Sequence, residues 1–112
     1  KNQLQRRIID LGLQERIDLM DFLPRQELFE EYKKADILVN AAYDEGVPII
    51  FFESGLWGLP VVATDTGGIA DAYPHLERAY IVPRGNPWAM ADAVRRLTFD
   101  PELRSRLGTA SR

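Results

Sequence analysis

The sequence contains no cysteine, and it has a single histidine among its 112 residues. Without cysteine the protein forms neither disulfide bonds nor a thiol nucleophile, so a reducing cytoplasm suits it. No apolar run approaches the roughly 20 residues that a membrane-spanning helix needs, and no signal peptide opens the chain. These absences exclude a disulfide-stabilised scaffold and a cysteine enzyme, and we expect no transmembrane segment.

The sequence also lacks an excess of basic residues. It has 14 lysine and arginine residues against 17 aspartate and glutamate residues, giving a net charge of -3. Charges of both signs are interspersed, whereas proteins that bind nucleic acid cluster lysine and arginine on one face. We therefore expect no nucleic-acid partner.

Several catalytic motifs are missing as well. There is no G-x-G-x-x-G fingerprint and no G-x-x-x-x-G-K-[ST] loop, so dinucleotide-binding and P-loop functions lack their residues. No G-x-S-x-G elbow supports a hydrolase triad. His75 stands alone beside Pro74, and Asp44 with Glu45 is too small a ligand set for a metal ion. We expect neither a metal nor a cofactor.

The sequence does contain enough apolar residues, 46%, to build a globular core. Hydrophobic periodicity predicts helices alternating with strands. The predicted helices are 2–11, 26–35, 47–57, 69–75, 87–97 and one from 101 onward, and the predicted strands are 16–23, 36–43, 61–64 and 79–82. This alternation predicts an α/β fold with a Rossmann-like parallel sheet of about four strands and flanking helices. Because Lys1 rather than Met begins the chain, inside a predicted helix, we expect residues 1–112 to form a partial domain.

The pattern also predicts which side chains face the core. Strand 36–43 is a compact apolar run that we expect to be buried on both faces. Gly12 is expected to end the first helix in a left-handed conformation. The side chains expected to point inward from the last two helices are Trp88, Met90, Ala91, Val94, Leu97, Leu103 and Leu107. Trp57, Phe51 and Phe52 are likewise expected in the core.

Two glutamates, Glu45 and Glu53, flank an apolar run that Pro48 opens as the first turn of a helix. On one interpretation both are solvated acids. On the other, the helix N-terminus faces a phosphate group and the glutamates accept hydrogen bonds from hydroxyl groups on either side, which matches the layout of a sugar nucleotide. Ligands of parallel sheets bind beyond the carboxyl ends of the strands, where the Gly67-Gly68 turn is also expected. The residues alone leave both interpretations open.

The stretch DEGVPIIFFESGLWGLPVVATDTGGIAD, from Asp44 to Asp71, resembles the retaining glycosyltransferases of the GT-B fold, in the family that includes sucrose and glycogen synthases. The matching features are Glu45, Gly46, Glu53, Gly58, Pro60–Thr64, Gly67 and Gly68. The flanking sequence is similar to the family's neighbouring strands and helices, so the resemblance covers nearly the whole chain. Asp21 and Ala70-Asp71 depart from the family's usual glycine and glutamate, which bears on the identity of the donor.

The resemblance implies a role for each matching residue. Glu45 would be the catalytic residue, reaching donor-sugar hydroxyls near the reacting carbon, and Glu53 would hold the ribose hydroxyls. The other donor-binding residues would be Gly46, Val47, Ile49 and Ile50 through their amides, Gly67 and Gly68 in the turn, and Phe22 and Leu23 near the base. The chain would be part of the carboxyl-terminal half of a GT-B fold.

The implied function is donor binding in a glycosyltransferase that moves a sugar from a nucleoside-diphosphate sugar to an acceptor hydroxyl, without a metal ion, in polysaccharide biosynthesis. Its implied partner is an amino-terminal acceptor domain. The implied location is the cytoplasm, with any contact to the inner membrane face made by that other half. On its own the chain is expected to be inactive. Two alternatives stay open: a nucleotide-sugar epimerase of the same fold, and a non-catalytic nucleotide-sugar-binding or interaction domain.

Overall fold

The computed structural model describes residues 2–20, 22–40, 57–65 and 79–110. These residues form four helices and three strands in the order α1 (Asn2–Asp10), α2 (Arg25–Lys34), β1 (Leu38–Asn40), β2 (Val61–Thr64), β3 (Tyr80–Val82), α3 (Pro87–Phe99) and α4 (Pro101–Ala110). The helices predicted at 47–57 and 69–75 lie outside the described residues, except for Trp57, which belongs to a turn.

The three strands form one parallel sheet in the order β1-β2-β3. The first pair of the β1–β2 ladder is Leu38 with Val61. The last pair of the β2–β3 ladder is Thr64 with Val82. All four residues of β2 are buried, as expected for a central strand covered on both faces. The predicted α/β class with a Rossmann-like parallel sheet is therefore confirmed.

Helices α3 and α4 supply the core on one side of this sheet. The buried cluster consists of Val62, Val82, Ala93, Leu97, Leu103 and Leu107. Asn86 caps α3, because its side-chain Oδ1 accepts a 3.0 Å hydrogen bond from the Ala89 N–H. Asp100 does the same for α4, accepting a 2.9 Å hydrogen bond from the Leu103 N–H. The predicted starts of both helices, and the inward positions of Leu103 and Leu107, are confirmed.

Gly12 ends α1 in the predicted left-handed conformation, with φ of 69°. The Gly12 N–H donates to the Ile9 carbonyl at 3.0 Å, and the Leu13 N–H donates to the Ile8 carbonyl at 2.9 Å. This pair of bonds is a Schellman motif, which satisfies carbonyl groups that the helix end leaves open.

The prediction of a strand at 16–23 is wrong for the residues that the structure describes. Residues 17–20 and 22–24 have no regular secondary structure, and the N–H groups of Arg16 and Ile17 instead bond to the Leu13 carbonyl in a turn. The alternation of apolar residues there suits a strand, but a strand also needs a neighbour to complete its hydrogen bonds. The described sheet offers none to this segment.

The burial predicted for four residues is also wrong. Val39 is 43% exposed rather than buried, because β1 lies at the edge of the described sheet. Trp88 is 78% exposed and Trp57 is 38% exposed. Ala91 is exposed as well, and Ala93 is buried in its place. The side chains of α3 that face the core are Met90, Ala93, Val94 and Leu97. These positions follow helical spacing, and Trp88 and Ala91 do not belong to this face. Phe51 and Phe52 lie outside the described residues.

Candidate functional site

The carboxyl edge of the sheet is the part of the candidate site that the structure describes. Asn40 ends β1 and pairs with Ala63, so the chain leaves β1 beside the last residues of β2. Strands β1 and β2 are parallel, and the segments that follow them therefore start from the same edge. In open α/β sheets this edge is where ligands bind.

The end of β2 is held firmly at this edge. Thr64 is only 5% exposed although it is polar, and it pairs with Val82 of β3. The next residue, Asp65, donates its backbone N–H to the Val82 carbonyl at 2.8 Å. Strand β3 thus fixes the end of β2, from which the chain continues toward Gly67 and Gly68.

Most of the predicted site residues lie outside the described part of the chain. They are Glu45, Gly46, Val47, Ile49, Ile50, Glu53, Gly67 and Gly68, so the predictions for them stay predictions. Phe22 and Leu23 are described, and both precede α2. The Phe22 ring is 92% exposed, and Leu23 is half-buried. The prediction that Phe22 and Leu23 lie near the base stays a prediction.

Two polar residues lie at this edge, and of these the sequence analysis singled out Thr64 but not Asn40. Asn40 closes the apolar run of β1, and Thr64 closes that of β2. The signal was available, because a polar side chain that ends a buried strand in an α/β sheet lies at the ligand-binding edge. Both take part in interactions within the structure.

The opposite, amino-terminal edge of the sheet carries a cavity of about 430 Å³. Its walls come from the end of α2, the residues before β2 and the start of α4. Its large polar and aromatic side chains are those of Tyr32, Lys33, Trp57 and Arg104. The Arg104 guanidinium donates to the Leu97 and Thr98 carbonyls at 2.8 and 3.1 Å, and so it closes the C-terminal end of α3.

In 2–20, 22–40, 57–65 and 79–110, no three side chains of histidine, cysteine, aspartate or glutamate come together as a metal site requires. In the same ranges, no helix has the length and the apolar character needed to cross a membrane.

The class of the protein follows from its sequence as a whole. The profile of the family described as glycosyl transferases group 1 matches residues 1–112. The chain belongs to this family.

Curated relatives agree with this assignment. A D-inositol 3-phosphate glycosyltransferase of Corynebacterium glutamicum (strain R) is 34% identical over 99 residues, which are 88% of this chain and 24% of the relative. The amylovoran biosynthesis glycosyltransferase AmsK of Erwinia amylovora is 32% identical over 102 residues, 86% of this chain and 25% of the relative. The chain thus spans about a quarter of the length of these relatives.

Solved structures share the fold. The C-terminal domain of the group 1 glycosyl transferase LpcC from Francisella tularensis superposes with a TM-score of 0.88 at 24% identity, covering 98% of this chain and 57% of that one. Anabaena HepE, solved in complex with UDP-glucose, gives a TM-score of 0.90 at 20% identity, covering 98% of this chain and 30% of that one. The architecture is that of the Rossmann-like carboxyl-terminal domain of a GT-B glycosyltransferase.

Proposed function

We propose that this chain is the donor-binding part of a retaining glycosyltransferase, which transfers a sugar from a nucleoside-diphosphate sugar to an acceptor hydroxyl. The observation that carries the proposal is the match of the glycosyltransferase family over residues 1–112. The parallel sheet supports it, because the two segments that hold Glu45, Glu53 and the double glycine both follow strands at one edge.

Nucleoside-diphosphate sugars present a diphosphate between two sets of hydroxyl groups. In the proposed site the backbone amides from Gly46 to Ile50 meet the diphosphate and the sugar, except for Pro48, which has no N–H. Glu45 accepts hydrogen bonds from hydroxyls of the transferred sugar, and Glu53 accepts them from the ribose hydroxyls. A carboxylate that accepts hydrogen bonds from hydroxyl groups is a strong partner for a diol.

The leaving diphosphate carries negative charge that the site must stabilise as the sugar departs. Backbone N–H groups and a helix dipole supply positive electrostatic potential without a metal ion. The proposal therefore assigns no metal to the reaction, and it places the other part of the site, including the acceptor-binding surface, elsewhere in the whole protein. The same proposal puts the protein in the cytoplasm.

Uracil is the first nucleobase to test. The structural neighbour HepE was solved with UDP-glucose and with UDP, and it shares the fold of this chain. The named curated relatives are transferases, which favours sugar transfer over epimerisation of the nucleotide sugar.

Ligand-observed NMR with UDP-, GDP- and ADP-glucose tests donor binding by the full chain. We expect one of the three to bind, and Glu53→Ala to weaken its affinity by about 10- to 100-fold, since a hydrogen bond to a charged group contributes about 1.5–3 kcal/mol. The matched control is Glu102→Ala, because Glu102 is an exposed glutamate in the first turn of α4. Donor binding that survives Glu53→Ala unchanged would count against the assigned role of Glu53, and absence of binding by all three would count against the function.

A further inference from the structure

Helix α3 carries two large aromatic side chains on its outer face, where a surface helix normally carries polar residues. Trp88, in the first turn, is 78% exposed, and Phe99, the last residue, is 80% exposed. In an α-helix these two positions lie within about 20° of each other around the axis and about 16 Å apart along it. The buried Leu97 lies on the opposite side of the helix. The two aromatic side chains therefore form one line that faces solvent.

An ion pair lies between the two aromatic side chains on the same face. Arg95 Nη1 is 3.7 Å from Asp92 Oδ1, one helical turn earlier, and the two side chains are 71% and 73% exposed. An exposed pair at this spacing contributes little to the stability of its own helix. Along the outer face of α3, aromatic residues thus stand at the two ends and opposite charges stand between them.

These four positions are symmetric about one point of the helix. The midpoint between Trp88 and Phe99 is also the midpoint between Asp92 and Arg95. In a two-fold symmetric contact, residue i of one copy meets residue j of the other copy while j meets i. An antiparallel pair of α3 helices centred on this point therefore places Trp88 against Phe99 and Asp92 against Arg95, twice each. A single register satisfies the aromatic pairs and the charged pairs together.

We propose that the outer face of α3 is a homodimer interface, at which α3 pairs with the α3 of a second copy of this chain in antiparallel orientation. The charges select this partner, because antiparallel pairing brings each acid to a base. A parallel pairing would bring Asp92 to Asp92 and Arg95 to Arg95, which repel each other. Tryptophan, phenylalanine and arginine are also residue types that are enriched in protein interfaces. The inference is independent of the proposed function.

The interface is small, so the dimer is weak. Helix α3 has 13 residues. A helix of that length is about 20 Å long, and a single helix pair of this size belongs to the interfaces below roughly 1,200 Å² that form reversible complexes. We expect a dissociation constant of about 10–100 μM. Because α3 follows β3 at the carboxyl edge of the sheet, antiparallel pairing directs the carboxyl edges of the two copies toward opposite ends of the dimer.

Sedimentation velocity of the full chain from about 1 μM to 1 mM measures the dimer. We expect the wild-type chain to pass from monomer to dimer over this range, and Trp88→Ala or Phe99→Ala to raise the dissociation constant by about 10-fold or more. Met20→Ala is the matched control, because Met20 is an apolar residue, 52% exposed, in the segment after α1. A wild-type chain that stays monomeric at the highest concentration would overturn the proposal, as would unchanged dimerisation of both aromatic variants.

An exchange of charges tests the antiparallel register. Asp92→Arg leaves arginine at both charged positions, and Arg95→Asp leaves aspartate at both, so each variant should dimerise about 10-fold more weakly because its copies repel. An equimolar mixture of the two variants should recover the dimer, and so should the double variant that carries both changes. Glu30→Arg is the control, since Glu30 and Lys33 form an exposed pair of the same spacing on α2. A mixture that stays monomeric would contradict the register.

A lipid surface would respond differently to the same variants. Aromatic and basic side chains also bind anionic bilayers, so Asp92→Arg would then strengthen binding to phosphatidylglycerol vesicles and Arg95→Asp would weaken it. A wild-type chain that is monomeric and binds these vesicles would overturn the dimer. Circular dichroism of each variant verifies that it is folded. Because dimerisation requires no donor, a monomeric chain leaves the proposed function standing, and a chain that binds no donor leaves the dimer standing.

Discussion

Gly108 of α4 lies against the carbonyl group of Gly58, so closely that a Cβ on Gly108 would overlap the Gly58 carbonyl oxygen. The same Cβ would lie 3.0 Å from the Gly58 carbonyl carbon and 3.5 Å from the Pro60 Cδ. This contact joins the last helix of the chain to the residues that lead into the central strand. The atoms that a side chain would meet are backbone and ring atoms, which cannot swing aside.

Gly108→Ala is therefore expected to destabilise the fold, although alanine has a better helix propensity than glycine. Alanine gains about 1 kcal/mol over glycine within a helix. Overpacking against backbone costs about 1–3 kcal/mol, and occasionally more. Because the overlap is with backbone, we expect the upper end of that cost and a net loss of about 2 kcal/mol in the free energy of unfolding, measured by urea denaturation with circular dichroism. Ser105→Ala, at an exposed position of the same helix, should cause no loss. A Gly108→Ala protein as stable as the wild type would show that α4 moves away from Gly58 at little cost.

Asn86 is expected to stabilise α3 through its cap. Its Oδ1 accepts the hydrogen bond from the Ala89 N–H at 3.0 Å, and Pro87 occupies the first turn. Asn86→Ala should lower the free energy of unfolding by about 1 kcal/mol, whereas Asn86→Asp keeps an acceptor and should retain most of the stability. Thermal unfolding of the three proteins measures the difference. Equal melting temperatures for Asn86→Ala and the wild type would contradict a contribution from the cap.

Two large apolar residues lie near the end of α3, and replacing each by alanine should change the free energy of unfolding by very different amounts. Leu97 is fully buried against the sheet, and Phe99 is 80% exposed. Leu97→Ala removes buried methyl groups and leaves a cavity, so we expect a loss of about 2–5 kcal/mol. Phe99→Ala should change stability by about 0.5 kcal/mol or less, as is usual for surface positions. Urea denaturation of both variants tests the placement of the core, and a larger loss for Phe99→Ala would contradict it.

The elements that the sequence predicted well are those whose signals are local. Strand β2 begins after Pro60 and is a run of apolar residues, and its predicted bounds match the structure. The start of α3 follows from Asn86 and Pro87, a cap and a first-turn residue that act on their own helix. Such signals depend on neighbours in the sequence, which can be read without knowing the fold.

The failures concern partners that are distant in the sequence. The segment 16–23 alternates like a strand, yet the pattern alone cannot supply the neighbouring strand that it needs. Trp88 was assigned inward for its apolar ring, although the stripe from Met90 through Leu97 already fills the inner face of α3. At the candidate site, the carboxyl edge after β1 and β2 was predicted from the parallel topology. The contact of Trp57 with Phe29 and Lys33 was not predicted, because it joins residues on different elements.

Glu45 and Glu53 should differ in which kinetic constant they control. If Glu45 lies near the reacting carbon, its charge acts mainly as positive charge develops on the sugar in the transition state. Glu45→Ala in the whole protein should therefore lower kcat by about 100-fold, a magnitude typical of lost electrostatic stabilisation, with little change in donor affinity.

Glu53→Ala should mainly raise the KM for the donor, because a contact to the ribose is present equally in the bound substrate and in the transition state. Initial rates over a range of donor concentrations separate the two effects, with Glu102→Ala as the exposed control. A Glu45→Ala enzyme with normal turnover would remove Glu45 from the chemistry. An unchanged KM in Glu53→Ala would contradict a contact between Glu53 and the ribose. The two outcomes are independent because the residues are assigned to different parts of the donor.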